Sequence, residues 1–126
     1  MITPDLAQRA AESWVAAWNS RDLDTIMSHY TDDVTFWSPM IVKLMGDPNG
    51  KIVGKEGLRA YFTRGLAATP ALHFTLLHVL TGVDSVTIYY RRHDNVEVAE
   101  VTTLNADGQA TQIHCYYSAN STVWQL

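Results

Sequence analysis

The sequence predicts an α+β protein, and two observations carry that prediction. In the first half, apolar residues recur at spacings of three and four; from Pro70 to Tyr117 they alternate with a period of two. The alternating segments are joined by short turns, Gly82-Val83-Asp84, His93-Asp94-Asn95 and Asn105-Ala106-Asp107-Gly108, which make neighbouring strands antiparallel. Helices first and a meander last place the helices on one face of a curved sheet.

Each element has its own local signal. Thr3-Pro4-Asp5 supplies a capping hydroxyl, a proline at the first helical position and an acid, and Leu6, Ala10, Trp14, Ala17 and Trp18 then form one apolar face. Asn19-Ser20-Arg21 breaks that helix. Asp22 caps a second, short one reaching Tyr30, with Leu23, Ile26, Met27 and Tyr30 as its stripe. Thr31-Asp32-Asp33 reads as a turn and Val34–Trp37 as a short strand stopped by Ser38-Pro39. Met40 to Gly50 is apolar at its start and rich in turn residues at its end, and is expected to be a loop or lid beside a pocket mouth. Lys51–Val53 is a short strand; Lys55 to Ala68 is a third helix, with Leu58, Tyr61, Phe62 and Leu66 on its apolar side. The four strands of the second half run from about Leu72 to Thr81, Ser85 to Arg92, Val96 to Leu104, and Gln109 to Tyr117. The tail, 118–126, carries no usable pattern.

Composition narrows the function classes. A chain of 126 residues that is 47% hydrophobic is expected to form a single domain with a substantial core. A net charge of −4 and the absence of a lysine or arginine run argue against a nucleic-acid or anionic-membrane surface. The single cysteine, Cys115, suits a reducing cytoplasm, and no signal peptide or membrane span is expected. Metal binding is not expected: no histidine pair has helical i, i+4 spacing, and the acids cluster in turns.

The strongest chemical signal is Glu100. In the strand VEVAEVTTL it shares a face with Val96, Val98, Thr102 and Leu104, which puts a lone carboxylate among apolar neighbours on the inward side. Burial of a carboxylate is costly unless it is protonated or hydrogen-bonded, and such groups concentrate at functional sites.

Several strings, in this order and spacing, resemble the nuclear transport factor 2-like superfamily, with its SnoaL-like and ketosteroid isomerase-like members. They are Trp18-Asn19-Ser20-Arg21-Asp22-Leu23-Asp24, Tyr30-Thr31-Asp32-Asp33-Val34, Gly54-Lys55-Glu56-Gly57-Leu58, Ala106-Asp107-Gly108 and Tyr116-Tyr117. The resemblance covers roughly Pro4 to Tyr117. It implies a cone-shaped, curved mixed or antiparallel sheet with three helices packed on its concave face, enclosing a pocket, and a homodimer formed through the sheet. Function varies widely on this fold.

Carried across by position, most of the isomerase site is missing. The oxyanion-donating tyrosine falls at Trp14, the general-base aspartate at Ser38, and a supporting tyrosine at Phe62; Tyr30 remains, and Glu100 stands where the family has a protonated aspartate. A strict ketosteroid isomerase is therefore not expected, nor is the Asp-Arg-Asp triad of the fold's epoxide hydrolases evident.

Three residues are the candidates for chemistry. Glu100 is either a pocket acid or base of raised pKa, or a core carboxylate paired with an arginine or tyrosine. Tyr30 either reaches Glu100 or Ser38, or is a core aromatic. His73 and His78 lie five apart on one strand, so one of them faces inward; the resemblance favours His73, as a partner for Glu100 or as a structural histidine. Trp14, Trp18, Phe36, Ser38, Phe62, Val98, Ile113, Cys115 and Tyr117 are expected to line the pocket, with Cys115 serving as packing rather than as a nucleophile. His114 is expected on the outer face. Two functions remain open: a cofactor-independent acid–base enzyme acting on a small hydrophobic carbonyl compound, or a non-catalytic ligand-binding or dimerisation domain.

Overall fold

A computed structural model describes residues 1–124; the end of the tail, 125–126, lies outside the described residues. In chain order the elements are α1 (Pro4–Ser20), α2 (Leu23–Met27), β1 (Tyr30–Trp37), α3 (Pro39–Met45), β2 (Lys51–Val53), α4 (Lys55–Ala68), β3 (Phe74–Thr81), β4 (Ser85–Arg92), β5 (Glu97–Leu104) and β6 (Ala110–Tyr117). A single 3₁₀ turn, Thr122–Trp124, follows. The six strands form one curved sheet in the order β2-β1-β6-β5-β4-β3. Only β1 and β6 pair in parallel among the described strands, so the sheet is mixed.

The local signals for α1, β2, α4 and the meander produce the expected elements. Thr3 caps α1, its Oγ1 accepting from Leu6 N at 3.2 Å, and Asp22 caps α2 by accepting from Asp24 N and Thr25 N. The buried face of α1 is Ala7, Ala11, Trp14, Ala17 and Trp18. Small residues along most of that face let the helix approach the sheet closely, while the two indoles fill the hollow below it.

Three local readings change. Tyr30 does not close α2; the helix ends at Met27, and Tyr30 opens β1, where it pairs with Ala110. Thr31-Asp32-Asp33 is part of that strand, and the β1–β6 register is irregular between Tyr30 and Thr35. Pro39–Met45 is a helix rather than a loop: the Ser38 hydroxyl accepts from Met40 N at 3.1 Å, proline occupies the first turn, and Gly46 closes it at φ +68°. Those caps bracket Met40-Ile41-Val42-Lys43-Leu44-Met45, whose apolar run alone does not distinguish strand from helix.

Long-range polar contacts set the geometry around the hollow. The Asn19 amide grips the backbone of Phe74 twice, Nδ2 donating to Phe74 O at 2.9 Å and Oδ1 accepting from Phe74 N at 2.8 Å. The Arg21 guanidinium donates to Leu66 O and Thr69 O, satisfying carbonyls at the end of α4. Asn19 in the last turn of α1 and the C-cap residue Arg21 thus tie β3 and α4 to the end of that helix.

Candidate functional site

A cavity of about 80 Å³ lies between α3, α4, the end of α1 and the inner face of β4, β5 and β6. Glu100 is on its wall and is 4% exposed. The pairing puts it opposite Ile88 on one side and Cys115 on the other, so its carboxyl sits within an apolar stretch of sheet. Tyr90, one register step along β4, donates its hydroxyl to Glu100 Oε2 at 2.5 Å. Glu100 forms no ion pair among the described residues. Burial pushes its pKa up to about 7, against the opposing pull of hydrogen bonding from Tyr90 and Cys115.

The other polar groups around the cavity stay protonated. Burial raises the phenols of Tyr61, Tyr90 and Tyr117 and the thiol of Cys115, and the nearby Glu100 charge raises each further. A thiol held up in this way is a poor nucleophile at neutral pH, in keeping with Cys115 as packing. Tyr61 and Tyr117 line the cavity and carry phenolic O–H groups. Ser38 also lines the cavity, but its hydroxyl is engaged in capping α3.

The expected pocket residues divide into two sets. Trp18, Phe36, Ser38, Phe62, Cys115 and Tyr117 line the cavity with Glu100. Val98 and Ile113 are buried elsewhere in the core. Trp14 lines a separate cleft with Ser13 and His29, because its indole is turned to donate to the Tyr30 hydroxyl at 3.0 Å and stacks on Phe74. Tyr30 is itself 1% exposed and does not line the Glu100 cavity; its hydroxyl is raised by burial and held by Trp14. His73 is exposed and lies outside the cavity. The Asn19 grip on Phe74 turns that ring inward and leaves the preceding residue outside. His78 is exposed too, and His114 stacks on Trp37 at 4.1 Å away from the cavity, as the alternation of β6 requires.

Sequence reasoning missed Tyr90, Tyr61 and Arg92. The signal for Tyr90 and Arg92 was present: the turn at His93-Asp94-Asn95 pairs Tyr90 with Val98, which places Tyr90 on the face of Glu100 and Arg92 two residues further along that face. Met40 and Leu44 of α3 line the cavity, so the 40–50 segment does sit beside it, although as a helix.

Residues 11–117 match the SnoaL-like domain family. Among solved structures, the chain is similar to a SnoaL-like protein of unknown function from Burkholderia thailandensis, at 40% identity and a TM-score of 0.89, with 94% of this chain and 98% of that one covered. It also shares its fold with TerC, crystallised with polyporic acid, at 16% identity and a TM-score of 0.72 over 90% of this chain and 92% of that one. Bal32a, from a soil-derived mobile gene cassette, has 21% identity and a TM-score of 0.74, with 91% of each chain covered. No curated protein matches the chain. The capped helices, the mixed curved sheet and the family match over most of its length lead to one conclusion: the chain belongs to the SnoaL-like family and has the nuclear transport factor 2-like fold.

Proposed function

We propose that the protein binds a small hydrophobic carbonyl compound in the Glu100 cavity and moves a proton on it, as a cofactor-independent isomerase, cyclase or hydrolase. The observation that carries this reading is a buried carboxyl on the cavity wall, with no cation partner among the described residues and a pKa near 7. At neutral pH such a group is populated in both states, which suits it to take a proton and return it. In an isomerisation, the Glu100 carboxylate removes a proton from the carbon beside the carbonyl. The C–H electron pair becomes a carbon–carbon double bond as the carbonyl π pair moves onto oxygen, and when the carbonyl re-forms the protonated Glu100 delivers the proton to another carbon of the conjugated system. Electrons are conserved throughout, and Tyr61 or Tyr117 would donate to the oxygen as charge develops there.

A second reading, a non-catalytic binding or dimerisation domain, draws support from Ser38, which has no basic group where the isomerases place theirs. In either reading the protein works as a homodimer in a reducing cytoplasm. The outer sheet face, where Trp37 stacks on His114 and Tyr116 is exposed, would form the contact between subunits.

The test is deuterium incorporation from heavy water into a panel of small ketones and oxo acids, followed by NMR for the wild type and Glu100→Gln. Incorporation by the wild type that falls about a hundredfold or more in the variant, with ligand binding retained, supports proton transfer. Incorporation that is equal in both, or absent from a ligand-binding wild type, overturns it; the latter result leaves the binding domain.

A further inference from the structure

Resting on the proton-transfer reading of the same cavity, we propose that the ligand is a short-chain oxo acid whose carboxylate is held by Arg92 and whose carbonyl end lies against Glu100. Size is the first argument. Ligand sites for drug-sized molecules occupy roughly 300–1,000 Å³. This cavity offers about 80 Å³. At roughly 10–15 Å³ for each water-sized occupant, that is room for about half a dozen heavy atoms. A steroid or polycyclic polyketide does not fit inside; a chain of three or four carbons with its oxygens does.

Charge is the second argument. Arg92 is the one cationic side chain on the cavity wall among the described residues, reaching it from the end of β4 on the same face as Tyr90. Its side chain is 17% exposed and its guanidinium carbon lies 6.0 Å from the centroid of the Tyr117 ring. One donor is spent: Nη2 holds Asp94 Oδ2 at 2.9 Å, on the solvent side of the turn. A guanidinium carries five N–H donors in a fixed fork, and no other acceptor engages this one among the described residues. The unengaged donors match a carboxylate, which takes two parallel hydrogen bonds. Glu100 in its neutral form adds no repulsion to an anionic guest, and the guanidinium, bonded to Asp94 through Nη2 alone, keeps its remaining donors for the guest's carboxylate.

The wall between Arg92 and Glu100 supplies the third argument. The aromatic walls formed by Phe36, Phe62 and Phe74 leave only an apolar middle between these polar ends, which a short alkyl segment fills.

The experiment compares 2-oxobutanoate with its primary amide, equal in size but uncharged, by following the indole signals and intrinsic fluorescence of the wild type and three variants. The oxo acid is expected to bind about tenfold or more tightly than the amide. Arg92→Gln should abolish that preference, and Arg92→Lys should keep part of it. Glu100→Gln should still bind the acid. Equal binding of acid and amide, no binding of either, or a preference that survives Arg92→Gln overturns the proposal. The two readings separate cleanly. Loss of deuterium exchange in Glu100→Gln with no acid preference sinks the oxo acid alone, and an Arg92-dependent preference without exchange sinks proton transfer alone.

Discussion

Tyr90 donates to Glu100 Oε2 from the neighbouring strand, across a diagonal of the β4–β5 ladder set by the pairing of Tyr90 with Val98 and of Ile88 with Glu100. This hydrogen bond favours the ionised carboxyl, whereas burial disfavours it, and burial is the larger influence. Tyr90→Phe removes the donor and leaves the burial. Glu100 is therefore expected to titrate distinctly above about 7 in the variant, read by carbon-detected NMR of the carboxyl. A midpoint that stays put or falls would show that Tyr90 does not govern this group.

The raised pKa also fixes the sign of a stability effect. An unfolded chain releases the Glu100 proton near 4.5, whereas the folded protein holds it up to about 7. Between those values the folded state binds more protons, so this residue's contribution to stability falls as pH rises, and it is fully unfavourable above about 7. Glu100→Gln cannot ionise and escapes the penalty. The variant is expected to be more stable than the wild type at about pH 8, by on the order of 1–3 kcal/mol, with the advantage vanishing near pH 4. Paired urea melts across that range measure it; a wild type that gains on the variant as pH rises would contradict the sign.

Tyr30 is held in the core by the Trp14 indole and does not line the Glu100 cavity. Tyr30→Phe leaves that indole N–H buried without its acceptor, so the folded state should lose about 1–3 kcal/mol. The Glu100 titration should not move, because Tyr30 is not among the groups that set it. A shifted midpoint without loss of stability would make Tyr30 part of the site instead.

Gly50 supports the cavity wall indirectly. It adopts φ +60°, its carbonyl accepts from Ser38 N at 2.9 Å, and a Cβ there would stand 3.1 Å from Ser38 O and 3.2 Å from Val42 Cγ2. Gly46 has φ +68° with open space around it. Both Gly→Ala changes incur the left-handed conformational penalty, about 1–2 kcal/mol, and Gly50→Ala adds the clash. Gly50→Ala should therefore be the more destabilising of the two in thermal melts and should perturb the backbone amide signals of Ser38 and Met40.

His73, exposed and outside the cavity, is expected to contribute nothing to the site. His73→Ala should change stability by no more than about 0.5 kcal/mol and leave the Glu100 midpoint where it was. A higher midpoint in the variant would mean that the two groups interact after all, since an imidazolium beside Glu100 would favour its ionised form.

Much of this architecture is written in local chemistry. The α4 helix (Lys55–Ala68) and strands β2 (Lys51–Val53) and β4 (Ser85–Arg92) have the bounds their periodicity and flanking residues indicate. Glu100 faces inward because alternation along β5 leaves it among valines on the buried side. Caps and period are short-range interactions, so they can be read along the chain. What the chain alone does not disclose is which of two alternating sets turns inward when both contain apolar residues, and which side chains from separate elements meet. His73 and Phe74 illustrate the first: the Asn19 amide, 55 residues away, grips the Phe74 backbone where β3 begins with Phe74 buried, and a register shift between Leu76 and His78 resets the alternation further along. Trp14 and Tyr30 illustrate the second: their pairing follows from competition for buried hydrogen-bond partners and is settled only when the sheet closes around the helices.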